Sequence, residues 1–162
     1  MNDYDFTLKF VVPVTISSDE IADSLYGGDC DDAIIGVGVP GRLALNFMRE
    51  AASAKDAIKS AISDVQKSLP QAVLVEIGPD LVGLSDAGEQ LKMSRQYLRK
   101  VRDKELAKFP LPMHEGNPSL WHLYHLLEYF KQEKRKAISE NDMEVAKAAM
   151  LLNYEHQKQR VY

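Results

Sequence analysis

The 162-residue chain is 45% hydrophobic and 27% charged, enough to bury the core of one ordinary domain or two small ones, which argues against disorder throughout. It has no run near the roughly 18 apolar residues of a membrane span, and its acidic start, Met1-Asn2-Asp3-Tyr4-Asp5, is unlike a basic signal peptide, so it reads as soluble, cytoplasmic and free of membrane contact. The single cysteine, Cys30, excludes a disulfide framework and a cysteine-rich zinc module, and the net charge of −4 argues against a surface that coats nucleic acid everywhere.

From Tyr4 to Ile16 apolar residues alternate, with Tyr4, Phe6, Leu8, Phe10, Val12, Val14 and Ile16 on one face, which predicts a half-buried strand. Pro13 has no amide hydrogen, so the far end of that strand is expected at an edge or bulge. Ser17 and Glu20 form a capping box that opens a short helix, stopped by Gly27-Gly28. Residues 33–39 and 42–47 flank Pro40-Gly41 and read as a hairpin. Ser53 and Asp56 open a longer helix whose apolar positions, Ala54, Ala57, Ile58, Ala61, Ile62 and Val65, recur at three and four residues until Pro70. A strand over 72–77 completes the order βαββαβ, the split arrangement of ferredoxin-like domains, and so an α+β class.

Two features of this half invite chemistry. Gly36, Gly38 and Gly41 spell a dinucleotide-binding fingerprint, yet strand residues follow where the fingerprint needs a helix start, so they read as hairpin glycines. Asp29, Asp31 and Asp32 lack the spacing of a calcium loop and read as a solvated acidic loop.

Charge divides the chain at Gly78-Pro79-Asp80. Residues 1–80 carry 6 Lys+Arg against 13 Asp+Glu, a net of −7; residues 81–162 carry 14 against 11, a net of +3. That asymmetry points to different partners for the two halves and to three parts: 1–78, 79–136 and a C-terminal helix over 137–162.

In the basic half, Ser85 is placed to cap a short helix with Ala87 and Leu91 inside, Lys92-Met93 make a tight turn, and Ser94 caps a second helix. Two short capped helices in tandem predict a helix-turn-helix. Tyr97, Leu98 and Val101 anchor the second helix, and Ser94, Arg95, Gln96, Arg99, Lys100 and Arg102 supply the hydroxyl, guanidinium, ammonium and amide groups expected to read base edges and grip phosphates.

Residues 84–97, with Phe109-Pro110-Leu111-Pro112 and Gly116-Asn117-Pro118-Ser119-Leu120-Trp121, resemble the MerR-like and excisionase-like (AlpA-type) winged helix-turn-helix regulators over about residues 81–130. The resemblance implies that the helix led by Ser94 enters the major groove of double-stranded DNA, with Arg95, Gln96 and Arg99 at base edges or phosphates, and that the segment ending at Trp121 is a wing. The family carries arginine near the wing tip and after the tryptophan; this chain has Asn117-Pro118-Ser119 and His122-Leu123, so its wing is expected to contribute shape more than charge.

His122, His125 and Glu128 share a helix over Leu123–Phe130, but three candidates fall short of a closed zinc site, and Trp121, Leu123, Leu126, Leu127 and Phe130 mark that helix as core. His114 and His156 lie too far away in sequence to join them. No catalytic constellation is evident, so neither enzyme activity, nor a metal, nor a cofactor is expected. After the charged link Lys131–Lys136, Ser139 and Asp142 open a final helix to about Gln159, whose apolar stripe (Ala146, Ala149, Met150, Leu151, Leu152 and Tyr154) must fold back on the sheet or pair in a homodimer. The sequence is thus expected to encode a DNA-binding transcriptional regulator of its own operon, of phage, mobile-element or toxin–antitoxin type. The alternative is a protein–protein interaction module, antitoxin or adaptor, whose acidic half binds a basic partner.

Overall fold

Period-two burial shapes the first strand, β1 (Asn2–Val11), in a computed structural model that describes residues 1–161. Tyr4, Phe6, Leu8 and Phe10 are buried while their neighbours face out, as the alternation predicts. The strand stops five residues short of Ile16. Pro13 cannot continue a ladder, so although Val12 still donates its amide to the Gly41 carbonyl at 3.0 Å, Val14 is 71% exposed. The proline therefore ends a central strand and does not mark an edge.

Next come α1 (Ser18–Gly27), β2 (Ala33–Gly36), β3 (Arg42–Ala51), α2 (Ala54–Ser68) and β4 (Val73–Gly78). Ser17 and Ser53 cap the two helices, accepting the amides of Glu20 and Asp56. The four strands form an antiparallel sheet in the order β2-β3-β1-β4, with Leu8 opposite both Leu45 and Ile77. Phe6 faces Phe47 with stacked rings 5.4 Å apart, a contact that contributes about 0.5–1.5 kcal/mol beyond burial. β3 runs four residues beyond the predicted Phe47, because Arg49 and Ala51 continue the pairing with β1. At the hairpin turn Gly41 adopts φ +84°, so the glycines belong to the hairpin.

The acidic loop before β2 is not simply solvated. Buried Arg49 of β3 directs all five of its N–H groups into it and α2: Nε and Nη2 reach the Asp32 carboxylate at 2.7 and 3.0 Å, and Nη2 also donates to the Asp29 carbonyl at 2.8 Å. Nη1 donates to Asp64 at 2.8 Å and Ser60 at 3.2 Å, and the guanidinium sits 5.1 Å from the centre of the Phe47 ring. This fork fastens loop, strand and helix together.

The second half contains β5 (Leu81–Val82), α3 (Leu84–Leu91), α4 (Arg95–Lys104), β6 (Trp121–His122) and α5 (Leu123–Glu133), and the chain closes with α6 (Glu140–Val161). β5 and β6 pair antiparallel, and Val82, Ala87, Leu91, Leu98, Val101, Trp121 and Phe130 belong to a second core. Between the halves, the α6 helix folds back: Val145 and Ala149 join the first core and Ala146 the second. Buried Asn153 accepts the Ile77 amide at 2.9 Å and donates to the Ile77 carbonyl at 2.8 Å, while His156 Nε2 donates to the Leu74 carbonyl at 2.8 Å. Side chains of α6 thereby occupy the outer edge of β4. The whole is an α+β fold with six helices among the described residues, none of them long and apolar enough to cross a membrane.

Candidate nucleic-acid interface

The α3–α4 corner is set by a glycine and a left-handed residue. Lys92 ends α3 at φ 56°, and a Cβ on Gly88 would lie 2.5 Å from the Met93 carbonyl oxygen, so only glycine lets the turn pass this close. Ser85 is not the cap of α3: Gly83 holds that position without a side-chain bond, and buried Leu84 already lies in the helix. Ser94 does cap α4, its Oγ accepting the Tyr97 amide at 3.1 Å. That contact fixes where the helix begins and gives Ser94 a structural duty.

Leu98 and Val101 anchor α4 in the second core, whereas Tyr97 is only half-covered. On the opposite side Arg95, Gln96, Arg99 and Lys100 are exposed. Arg102 departs from that set, since it is half-buried on the flank with Nε on the Asp103 carboxylate at 3.0 Å. From Lys92 to Lys108 the chain carries seven Lys or Arg and two acids, and both acids are already engaged. Asp103 holds Arg102, and Glu105 holds Lys134 beyond α5. Lys134 keeps the Glu105 carboxyl below its ordinary range, and Glu105 raises the Lys134 ammonium in return. Among the described residues, Arg95, Arg99, Lys100 and Lys104 form no ion pair.

After α4 the chain makes a loop closed by a bridge between His114 and Leu120, and Ser119 Oγ ties its tip by accepting the Gly116 amide and donating to the Gly116 carbonyl. Its base is rigid: Trp121 donates Nε1 to the Pro110 carbonyl at 3.0 Å and meets Phe109 edge-on. The flanks of the loop are apolar, with Leu111 86% exposed, and Glu115 is its only Asp, Glu, Lys or Arg.

The α5 helix extends to Glu133, three residues past the predicted Phe130, and Arg135 at φ 52° follows in the charged link. His122 and His125 stand edge-to-face at 6.0 Å but diverge in partner: His122 Nδ1 lies 2.7 Å from Asp80, and His125 lies 3.4 Å from Glu128. Among the described residues no three His, Cys, Asp or Glu side chains form a metal-holding group. Sequence reasoning missed Asp80. Its buried carboxylate accepts from His122 and from Asn153 at 2.8 Å, and its carbonyl accepts the Leu123 amide at 2.7 Å, which fixes the start of α5. The partners lie 42 and 73 residues away, so no local pattern reveals them.

Two buried groups give the fold an alkaline limit. The Tyr129 hydroxyl is buried, and burial first, then its interaction with the Glu105 carboxylate, push it up to about 12. Burial likewise raises the Cys30 thiol to about 11, with Arg49 opposing. Both native values exceed the unfolded ones, so each contribution is full below its unfolded pKa and fades as pH rises through its native value. Stability is therefore expected to fall between about pH 9 and pH 12, and Tyr129→Phe to flatten the upper part of that fall at little cost near neutrality. Urea unfolding followed across this range checks it; an unchanged slope in the variant refutes the assignment to Tyr129.

A polar cleft of about 560 Å3 separates the two halves, with Asp5, Lys9 and Glu76 on the sheet side and Asp86, Glu89 and Lys92 facing from the α3 side. Comparison with known proteins finds no match to a family model, to a curated protein or to a solved structure.

Proposed function

We propose that the protein is a sequence-specific DNA-binding regulator that acts on the DNA upstream of its own gene. In this reading α3 and α4 form a winged helix-turn-helix, α4 enters the major groove, and Arg95, Gln96, Arg99 and Lys100 contact base edges and phosphates. The loop ending at Trp121 is the wing, and 1–78 is a ferredoxin-like domain serving assembly or partner binding. The observation that carries this reading is the outer face of α4: cationic and amide side chains stand exposed without ion-pair partners in a chain whose net charge is negative. Such groups cost little to hold in water and gain most when they release counterions from a phosphate backbone. Arg102 and Ser94 take lesser parts, the first through its pairing with Asp103, the second as the cap that aims the helix. The strand order β2-β3-β1-β4, with a helix between β1 and β2 and another between β3 and β4, supports the ferredoxin-like assignment.

A gel-shift titration of the upstream fragment against a scrambled duplex of equal length, at two salt concentrations, tests the proposal. Preferential binding that weakens with salt is the expected result. A folded protein that binds neither duplex overturns it and favours the second reading, an interaction module. That reading draws on the cleft, where Asp5, Glu76, Asp80, Asp86, Glu89 and Asp142 outnumber Lys9, Lys92 and Lys136 and would suit a basic partner segment.

A further inference from the structure

The two edges of the main sheet are treated differently. Asn153 and His156 of α6 occupy the backbone groups along the β4 edge. At the other edge, among the described residues, Ile34, Ile35 and Gly36 of β2 bond to no backbone or side chain outside their ladder with β3. Ile34 is 75% exposed. Folded proteins ordinarily protect a bare edge by keeping it short or with a lysine, an inward charge, a proline or a bulge, and the four-residue β2 has only the first of these. Here residues 33–41 contain no charged residue at all, in a chain where 27% are charged, and the first proline lies beyond the strand at Pro40.

We propose that β2 is the self-association surface of this protein, pairing antiparallel with the β2 of a second copy to make one continuous eight-stranded sheet. The occupant follows from the asymmetry of the edges. With β4 blocked, edge-to-edge growth between copies can use only β2 on each side, and such a contact is closed by a twofold axis after two copies. That axis runs perpendicular to the sheet and keeps each face on its own side. Ile34 must then lie opposite Ile34 or Gly36 of the second copy, never opposite Ile35. Two apolar, uncharged edges meet without repulsion and bury Ile34 on both sides. The α6 helix is a poorer surface, because Val145, Ala146, Ala149 and Asn153 are already buried within the chain and its outer side interleaves Glu144, Lys147, Glu155 and Lys158 with Leu151 and Tyr154. This inference is independent of DNA binding, and either can stand without the other.

Sedimentation equilibrium of the full chain over a wide concentration range tests it, with Ile34→Lys as the edge variant and Leu151→Lys as the α6 control. A monomer–dimer equilibrium is expected for the natural chain, weakened at least about tenfold by Ile34→Lys and unchanged by Leu151→Lys. Amide hydrogen exchange of the natural chain provides a reading free of any folding defect in a variant: protection at Ile34–Gly36 is expected to rise with concentration. A monomer at every concentration, a dimer that resists Ile34→Lys in a folded protein, exchange at β2 that ignores concentration, or assemblies growing beyond two copies would each overturn the proposal.

Discussion

An Arg95→Ala, Arg99→Ala double variant is expected to bind the upstream DNA about 100-fold or more weakly than the natural chain while keeping its fold. Each arginine that meets a guanine edge in bidentate fashion contributes about 1–3 kcal/mol of discrimination, and each lost phosphate contact lowers the logarithmic salt slope by about 0.9. The two residues stand one helical turn apart on the exposed side of α4, so they address neighbouring positions along one groove. Neither touches the second core, whose α4 members are Leu98 and Val101, so thermal unfolding is expected to change little. The single variants separate the roles. A base-reading arginine loses preference at one base pair, whereas a phosphate-holding arginine weakens every sequence alike. Anisotropy titrations against single-base variants of the site measure both, and an unaltered affinity in the double variant contradicts the assignment of α4.

The largest loss of stability is expected at Arg49. Arg49→Ala removes every donor of the fork and leaves the carboxylates of Asp32 and Asp64 facing one another across a hole in a half-buried setting. Breaking an ion network of this kind from one side costs about 3–5 kcal/mol, a large part of the stability of a domain this size. Arg49→Lys restores the charge but not the planar fork, so it is expected to recover only part of the loss. Adding Asp64→Asn to Arg49→Ala relieves the stranded charge, and the pair should cost less than the sum of the two single changes. Urea midpoints at constant m-value measure the four variants against the natural chain; a shift below about 1 kcal/mol for Arg49→Ala would show the network to be ornamental.

What the sequence displays plainly is local. Ser17, Ser53, Ser94 and Ser139 each lie three residues before the amide they accept, so their caps are legible from neighbours alone. The alternation of β1 and the spacing of Ala57, Ile58, Ala61 and Val65 in α2 are equally direct. Where two local signals conflict, the reading falters: hydrophobic alternation continues through Val14 and Ile16, but the missing amide of Pro13 decides where β1 ends. Ser85 shows the converse error, for a good capping residue lies inside α3 because burial of Leu84 starts the helix earlier. The contacts that join distant segments leave no such trace. Arg49 finds Asp32 and Asp64 across 17 and 15 residues, and Asn153 finds Ile77 across 76. Arg102 was legible as a cation in the right helix, but not as the partner of its neighbour Asp103, since residues adjacent in sequence diverge around a helix unless a long side chain bends back.

Amide chemical-shift mapping of the isotope-labelled protein, titrated with the upstream duplex, locates the DNA contact residue by residue. The largest changes are expected along Arg95–Lys104 and smaller ones in the loop before Trp121, with the open side of the main sheet unaffected. Changes centred on the sheet or the cleft between the halves, or none at saturating duplex, would contradict the assignment of α4 to DNA.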